Sequence, residues 1–328
     1  VVDLGPLLEP SRHAEGELDK LVRDFAEACA RHGFFIVTNH GISEELLRGL
    51  EDDMATFFHS PQEEKRRIKR TANNSRGFAD DELTKQRQDW KELLDVGHKP
   101  FPSLADDHPS NVVMDGHNQW PEGHPGLRAK AERYYVEAAA LAGRLMEAVA
   151  LGLGLPREYF RPHFREHTSY MRMNYYPAYG GEDPSQLCIS RHTDAGALTV
   201  LRQGDVESLQ VYTGSKEDNG DGQWQTVPSI PGALTINTGD MLQVWSNSLY
   251  KAAEHRVLVN TGKERFSYTL FYNPDYTTNV APFASAEPAK YTAINYGEFR
   301  RKRFEGDFAD VGTEVQIEHY ASSFAAEL

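Results

Sequence analysis

The most informative segment of the sequence is Leu187-Cys188-Ile189-Ser190-Arg191-His192-Thr193-Asp194-Ala195-Gly196. It opens as an apolar run and ends in an imidazole and a carboxylate two positions apart. Residues i and i+2 of an extended strand point to the same face, so His192 and Asp194 should address one point in space. A neutral nitrogen and an anionic oxygen at one point are suitable ligands for a divalent metal such as iron.

A third ligand is expected on another inward-facing strand, and His255 is the best candidate among the 13 histidines. In the run 254–259, the odd positions place His255 on one face with two valines. Taken alone, His255 fits a buried structural histidine or a surface histidine better than a metal ligand. A similar pair, His13 and Glu15, opens a surface helix and is not assigned to a metal.

The second half of the chain is predicted to be β structure. From about residue 168 the sequence changes to short runs separated by turn signals such as Tyr179-Gly180-Gly181. The predicted strands cover residues 169–176, 187–190, 197–201, 208–212, 224–227, 234–237, 241–245, 254–259 and 265–272. Many short, evenly spaced strands indicate a sandwich, jelly roll or barrel.

The first half is predicted to be mainly helical. Apolar stripes at helical spacing cover about residues 13–31 and 125–153, and Ser43 and Pro61 are positioned to begin two further helices. Residues 71–124 read as irregular, and the tail from about Tyr296 has helical character. We therefore expect an N-terminal α/β region (1–110) that packs on a helix plus β core with a C-terminal helical tail (111–328), as one integrated unit, because the helical stripes need the sheet for burial.

The composition and net charge of the chain indicate which classes of binding partner to expect. The 328 residues are 39% hydrophobic, carry a net charge of −14 and contain no apolar run long enough for a membrane span. The one basic cluster, residues 65–70, is predicted to be a solvated helix face rather than a nucleic-acid footprint. Cys29 and Cys188 read as reduced core thiols of a cytoplasmic protein. A small-molecule substrate is expected, with no nucleic acid, no membrane and no obligate protein partner.

A co-substrate site is predicted on the strand that begins at Arg265. Arg265 and Ser267 share a face, which Thr269 and Phe271 continue. A buried arginine needs an anionic partner, and the nearby acidic residues lie at turns. An inward Arg265 therefore suits a ligand carboxylate, whereas an outward one would simply pair with Glu264.

A second polar face is predicted on the strand Arg172-Met173-Asn174-Tyr175-Tyr176-Pro177. Arg172, Asn174 and Tyr176 alternate with two apolar positions, so they line a polar pocket or an exposed face.

In this order, the motifs resemble those of the Fe(II)/2-oxoglutarate-dependent dioxygenases, in the branch that holds isopenicillin N synthase, anthocyanidin synthase and the gibberellin oxidases. The resemblance covers nearly the whole chain. Further matching motifs in the N-terminal half are the run from Arg31 to Ile42, Arg76-Gly77-Phe78, Asp89-Trp90-Lys91-Glu92 and Asn118-Gln119-Trp120-Pro121.

The resemblance implies a mainly β protein with flanking helices: a double-stranded β-helix (jelly roll) core, an N-terminal helical region and a C-terminal helix. It implies Fe(II) bound by His192, Asp194 and His255, with 2-oxoglutarate and O₂ as co-substrates. The implied 2-oxoglutarate residues are Arg265, Ser267, Tyr176 and Asn174. The candidate substrate residues are Phe271, Arg172, Phe78 and Arg76. Arg191 departs from the family pattern, where a small residue is common, and by alternation should face away from the metal.

The implied reaction is oxidative decarboxylation of 2-oxoglutarate to succinate and CO₂, coupled to C–H oxidation of a small organic metabolite by hydroxylation, desaturation or ring formation. Three other hypotheses stay open at this point. The first is an iron oxidase of the same fold that does not use 2-oxoglutarate. The second is a jelly-roll hydrolase or isomerase that uses Zn or Mn. The third is a non-catalytic binding module.

Overall fold

Two β-sheets packed face to face form the core of the protein. The structure is a computed structural model, and it describes residues 1–84, 87–97, 114–183, 185–214, 222–283, 288–307 and 315–322. The strands are β1 (Val2–Asp3), β2 (Phe34–Thr38), β3 (Gly77–Ala79), β4 (Leu83–Thr84), β5 (Arg87–Gln88), β6 (Glu92–Gly97), β7 (Tyr170–Tyr176), β8 (Leu187–His192), β9 (Leu198–Arg202), β10 (Leu209–Tyr212), β11 (Trp224–Thr226), β12 (Leu234–Thr238), β13 (His255–Leu258), β14 (Arg265–Tyr272), β15 (Asn279–Val280) and β16 (Ile294–Asn295).

The larger sheet has the strand order β1-β2-β12-β9-β14-β7-β6-β3, and the smaller sheet has the order β11-β10-β13-β8. A buried apolar cluster joins them, with Phe34, Ile36 and Leu201 from the larger sheet against Leu209 and Val257 from the smaller one. This arrangement confirms the predicted jelly roll with flanking helices.

Long helices from the first half of the chain pack on the larger sheet. They are α1 (Gly5–Leu8), α2 (Glu17–Arg31), α3 (Glu44–Phe58), α4 (Gln62–Arg66), α5 (Pro125–Gly152), α6 (Asp240–Trp245) and α7 (Tyr296–Asp307), with 3₁₀ turns at Pro10–Arg12, Arg161–Phe164 and Ile317–Tyr320. As predicted, Ser43 caps α3, where its side chain accepts a hydrogen bond from the Leu46 amide at 3.3 Å. Among the described residues, no helix is both long and apolar enough to cross a bilayer.

Strand alternation separates the helix-facing side of the larger sheet from the side that faces the smaller sheet. On β14, Tyr268, Leu270 and Tyr272 belong to the apolar core beneath the helices. Their neighbours Arg265, Ser267, Thr269, Phe271 and Asn273 line a cavity between the sheets. Side chains alternate in the same way on β7, so β7 and β14 both place polar side chains on the cavity wall.

Two sequence-based predictions of local structure are wrong. Residues 241–245, predicted as a strand, form helix α6, because a short apolar run does not distinguish the two by periodicity. The region 71–124 is not irregular throughout, since it contributes β3 to β6, and β6 pairs with β7 in the larger sheet. The stretch 98–113, which includes the predicted boundary at 110/111, lies outside the described residues.

The predicted solvated face of the basic cluster is confirmed for Arg66 and Arg67, which are exposed, but not for the whole cluster. Lys65 is buried and its Nζ lies 2.5 Å from Glu92 Oε2. Arg66 pairs with Asp80 at 2.7 Å, and Arg70 pairs with Glu82 at 3.1 Å. The cluster thus binds acidic side chains of its own chain.

Candidate active site

His192, Asp194 and His255 meet at one end of the smaller sheet. His192 ends β8, His255 begins β13, and the two residues are direct partners in the antiparallel pairing. The Nε2 atoms of both imidazoles lie 3.7 Å from Asp194 Oδ1. One ligand atom from each residue lies within 4.8 Å of the other two, which is the spacing of a metal-binding triad. Arg191, beside the triad, is exposed and turned away, as predicted.

Hydrogen bonds orient each of the three side chains. Nδ1 of His192 lies 2.8 Å from the Ser190 carbonyl, and Nδ1 of His255 lies 3.1 Å from the Ala253 carbonyl. A carbonyl only accepts, so each Nδ1 carries the proton and each Nε2 keeps a free lone pair towards the common point.

The carboxylate of Asp194 is held in the same way. Its Oδ2 accepts hydrogen bonds from the Thr199 hydroxyl at 2.5 Å and from the Asn237 amide at 2.7 Å. Its Oδ1 faces the two imidazoles. Two lone-pair nitrogens and one anionic oxygen on one side of a point form the two-histidine, one-carboxylate set that suits non-haem Fe(II), so these residues fit an iron ion.

The protonation states agree with this role. Burial, and then the neighbouring His255, lower the pKa of His192 to about 3. Burial alone would raise the pKa of Asp194, but the two imidazoles and its hydrogen bonds hold it below the ordinary value. At neutral pH the site therefore offers a neutral imidazole and an ionised carboxylate.

Arg265 and Ser267 lie on the wall of the same cavity. Arg265 is 3% exposed, and its Nε donates to the Val206 carbonyl at 3.2 Å. Its Nη1 is buried and has no hydrogen-bond partner among the described residues. The guanidinium lies 4.8 Å from the ring centre of Tyr176, and Asn174 Nδ2 lies 3.5 Å from Ser267 Oγ. The structure thus brings together all four residues predicted for the co-substrate.

Arg172 lines the cavity as predicted, but acidic side chains already satisfy it. It forms two hydrogen bonds to Asp95, at 2.8 and 2.7 Å, and one to Glu82 at 2.8 Å. Lys91 completes this buried network through Glu82 at 2.6 Å and Asp89 at 2.8 Å. Its charge is therefore neutralised within the chain, and its role in substrate binding stays a prediction.

Two further candidates for substrate binding do not reach the cavity. Phe78 is fully buried on β3, where its ring meets Phe57 edge to face at 6.3 Å. Arg76 is buried against Asp115, with 2.6 Å between Nη2 and Oδ1. Neither side chain lines the cavity. Phe271 does line it, stacked on Tyr170 with 4.8 Å between ring centres.

The C-terminal helix contributes cavity residues that sequence reasoning missed. Arg300 and Arg303 of α7 both line the cavity. Arg303 Nη2 donates to the Thr193 carbonyl at 3.2 Å, so α7 is tied to the chain between two metal ligands. The helical character of the tail was predicted, but its position over the metal site has no local sequence signal.

Comparison with known families agrees with this geometry. Residues 1–123 match the family model of the non-haem dioxygenase in morphine synthesis N-terminal region, and residues 167–274 match the model of the 2OG-Fe(II) oxygenase superfamily. Gibberellin 20 oxidase 4 of Arabidopsis thaliana is 32% identical over 313 residues, which is 94% of this chain and 80% of that protein. Homoarginine-6-hydroxylase 2-ODD-C23 of Glycine max is 33% identical over 315 residues, 92% of each protein.

Solved structures show the same relationship. JOX2 in complex with 2OG, Fe and JA superposes with a TM-score of 0.76 at 30% identity, over 92% of this chain and 83% of that one. The dioxygenase for auxin oxidation (DAO) in rice gives a TM-score of 0.74 over 98% of this chain and 99% of that one, and at 22% identity this likeness shows the fold alone. The chain therefore belongs to the 2OG-Fe(II) oxygenase superfamily, and it is an iron- and 2-oxoglutarate-dependent dioxygenase that oxidises a small metabolite.

Proposed function

We propose that Arg265 and Ser267 bind the distal carboxylate of 2-oxoglutarate in this enzyme. The observation that carries this proposal is the buried Nη1 of Arg265, which has no partner among the described residues although it borders the cavity. A desolvated guanidinium without a counter-charge is costly, and a carboxylate with two oxygens matches its geometry. Ser267, two residues further along the same face, adds a hydroxyl donor.

Tyr176 and Asn174 complete the proposed co-substrate site. In the pairing of β7 with β14, Arg265 is opposite Tyr176 and Ser267 is opposite Asn174. The four side chains therefore form one contiguous patch on the cavity wall. Tyr176 is assigned to the carboxylate nearer the metal, and Asn174 supports Ser267 from the neighbouring strand.

Bound iron would supply the oxidising chemistry, in which O₂ is consumed as 2-oxoglutarate is oxidised to succinate and CO₂ and a C–H bond of the substrate is oxidised. The chain's own part is to hold the co-substrate, orient the substrate and exclude water. No side-chain acid or base is needed, and none is assigned.

The proposed reaction is hydroxylation of a small organic molecule that packs against Phe271 in the cavity. Phe271 and Tyr170 form an aromatic pair on the metal-facing side of the larger sheet.

We also propose that regions 1–110 and 111–328 work as one unit, since β6 of the first region pairs with β7 of the second. The cytoplasm is the proposed compartment, since both thiols, Cys29 and Cys188, are unpaired and buried.

Binding of 2-oxoglutarate to Arg265→Gln tests the co-substrate assignment. Calorimetric titration without oxygen, into protein loaded with redox-silent Mn(II), should show a loss of about 2–5 kcal/mol relative to the parent protein. Arg256→Gln is the matched control, because Arg256 is a strand arginine that contacts Gln210 outside the cavity. Unchanged affinity in Arg265→Gln would contradict the assignment. Oxygen uptake that is independent of 2-oxoglutarate would instead indicate an iron oxidase of another type.

A further inference from the structure

We propose that Arg300 binds a carboxylate of the primary substrate, so that this enzyme oxidises a small organic acid with an apolar body. The inference rests on the proposed function, since it takes the cavity beside the metal as the substrate site. It names a substrate class and an anchoring residue.

Arg300 lies on α7 and is half-buried at the cavity wall. Its guanidinium lies 5.5 Å from the ring centre of Tyr170, and that ring also stacks on Phe271. The cavity thus has an aromatic wall with a positive charge beside it. Such a surface is complementary to a molecule that joins an apolar body to an anionic group.

Of the residues that the structure describes, five cationic side chains line the cavity, namely Lys91, Arg172, Arg265, Arg300 and Arg303. The buried network of Glu82, Asp89 and Asp95 neutralises the first two.

The other three cations differ in what they meet. Arg265 is assigned to 2-oxoglutarate. Arg303 lies 3.6 Å from Asp240 and donates to the Gln316 side chain at 2.8 Å. Arg300 has no described carboxylate oxygen within 4.0 Å of its nitrogens. Each of the other four cations has an assigned partner, so Arg300 is the cavity cation that is available to bind an anionic substrate.

The surroundings of Tyr170 explain why Arg300 has no ion pair with a described residue. A second guanidinium, that of Arg76, lies 5.1 Å from the same ring. Asp115 acts on Arg300 from beyond ion-pair distance, but its carboxylate is bound by Arg76 at 2.6 Å. Two guanidinium groups thus share one aromatic ring and one carboxylate, and the excess positive charge is on the cavity side.

The net negative charge of the chain supports a role in substrate binding for the local positive charge at Arg300. The chain carries a net charge of −14, so an anion approaches against a repulsive field unless a nearby cation offsets it. A neutral substrate would not need such a cation.

Paired acids and neutral derivatives test the inference directly. The probes are 3-phenylpropanoic acid and cyclohexaneacetic acid, each with its methyl ester and primary amide. Calorimetric titration up to millimolar concentration uses the full chain loaded with Mn(II) and 2-oxoglutarate, without oxygen. We expect the acids to bind at least about tenfold more tightly than their esters and amides, because only the acids form a charge-assisted pair with the guanidinium.

Three variants make the result specific. Arg300→Gln should remove the preference for acids while the affinity for 2-oxoglutarate stays unchanged, and Arg300→Lys should retain part of the preference. Arg301→Gln, at the exposed neighbouring position of the same helix, should behave like the parent protein. Circular dichroism and the 2-oxoglutarate titration verify that each variant is folded.

The opposing outcomes are distinct. Equal binding of acid and ester, an acid preference that survives in Arg300→Gln, or no binding of any acid at millimolar concentration would overturn the inference. If the parent protein fails to bind 2-oxoglutarate, the proposed function fails instead, and the titration of the co-substrate shows this before any acid is added.

Discussion

Replacement of Thr199 by valine should weaken metal binding although Thr199 is not a ligand. Its hydroxyl donates to Asp194 Oδ2 at 2.5 Å, one of two hydrogen bonds that fix the carboxylate. A hydrogen bond to a charged group contributes about 1.5–3 kcal/mol, and loss of such a partner of a metal ligand typically costs 10–100-fold in metal affinity. These ranges agree, because tenfold corresponds to about 1.4 kcal/mol. The Kd for Mn(II) should therefore rise about 10–100-fold.

The matched control is Thr235→Val. Thr235 is also a buried strand threonine with one side-chain hydrogen bond, in this case accepted from Gln203 at 2.9 Å. The Mn(II) affinity of each variant is measured by titration, and the free energy of unfolding by chemical denaturation. If both variants lose Mn(II) affinity equally, or if Thr199→Val binds Mn(II) like the parent protein, the reasoning about Asp194 is refuted.

Two further predictions concern stability, measured by chemical denaturation. Burial alone would raise the pKa of Glu82, but Arg172 and Lys91 hold it well below the ordinary 4.5, so its contribution is present above pH 4.5 and is lost as the pH falls further. Glu82→Gln should cost about 3–5 kcal/mol at pH 7 and flatten that acid-side decline, and an unchanged pH profile would contradict the assignment. Gly33 has φ +63°, and a Cβ there would lie 2.3 Å from a backbone carbonyl oxygen, whereas Gly154 at φ +71° has open space around it. Gly33→Ala should therefore destabilise by clearly more than the 1–2 kcal/mol expected of Gly154→Ala, and equal losses would contradict the packing argument.

Strand alternation explains why much of the site could be predicted from sequence. The period of two places His192 with Asp194, and Arg265 with Ser267, whatever the rest of the chain does. It also puts Arg172 on the cavity side correctly. Alternation does not predict which residue faces a given position from the neighbouring strand. Asp95 of β6 faces Arg172, and β6 is hard to predict as a strand because it contains buried charged residues.

Tertiary packing decides the positions of the other residues, and the local sequence does not reveal it. Phe78 and Arg76 belong to a motif of the resembling family, but proximity in a motif does not say which side chain reaches the cavity. The role of Arg300 depends on where α7 packs, and that is decided by tertiary contacts such as the hydrogen bond from Arg303 to the Thr193 carbonyl. Helix α6 was mistaken for a strand because five apolar-rich residues carry no decisive period.

Release of CO₂ from 2-oxoglutarate labelled at C1 measures the coupled reaction at the iron site. We expect release that requires both Fe(II) and O₂, and its loss in His192→Ala and in Asp194→Ala while circular dichroism shows an intact fold. Release from either folded variant at the parent rate, or no release from the iron-loaded parent protein supplied with O₂ and an accepted substrate, would contradict the assignment of the iron and 2-oxoglutarate site.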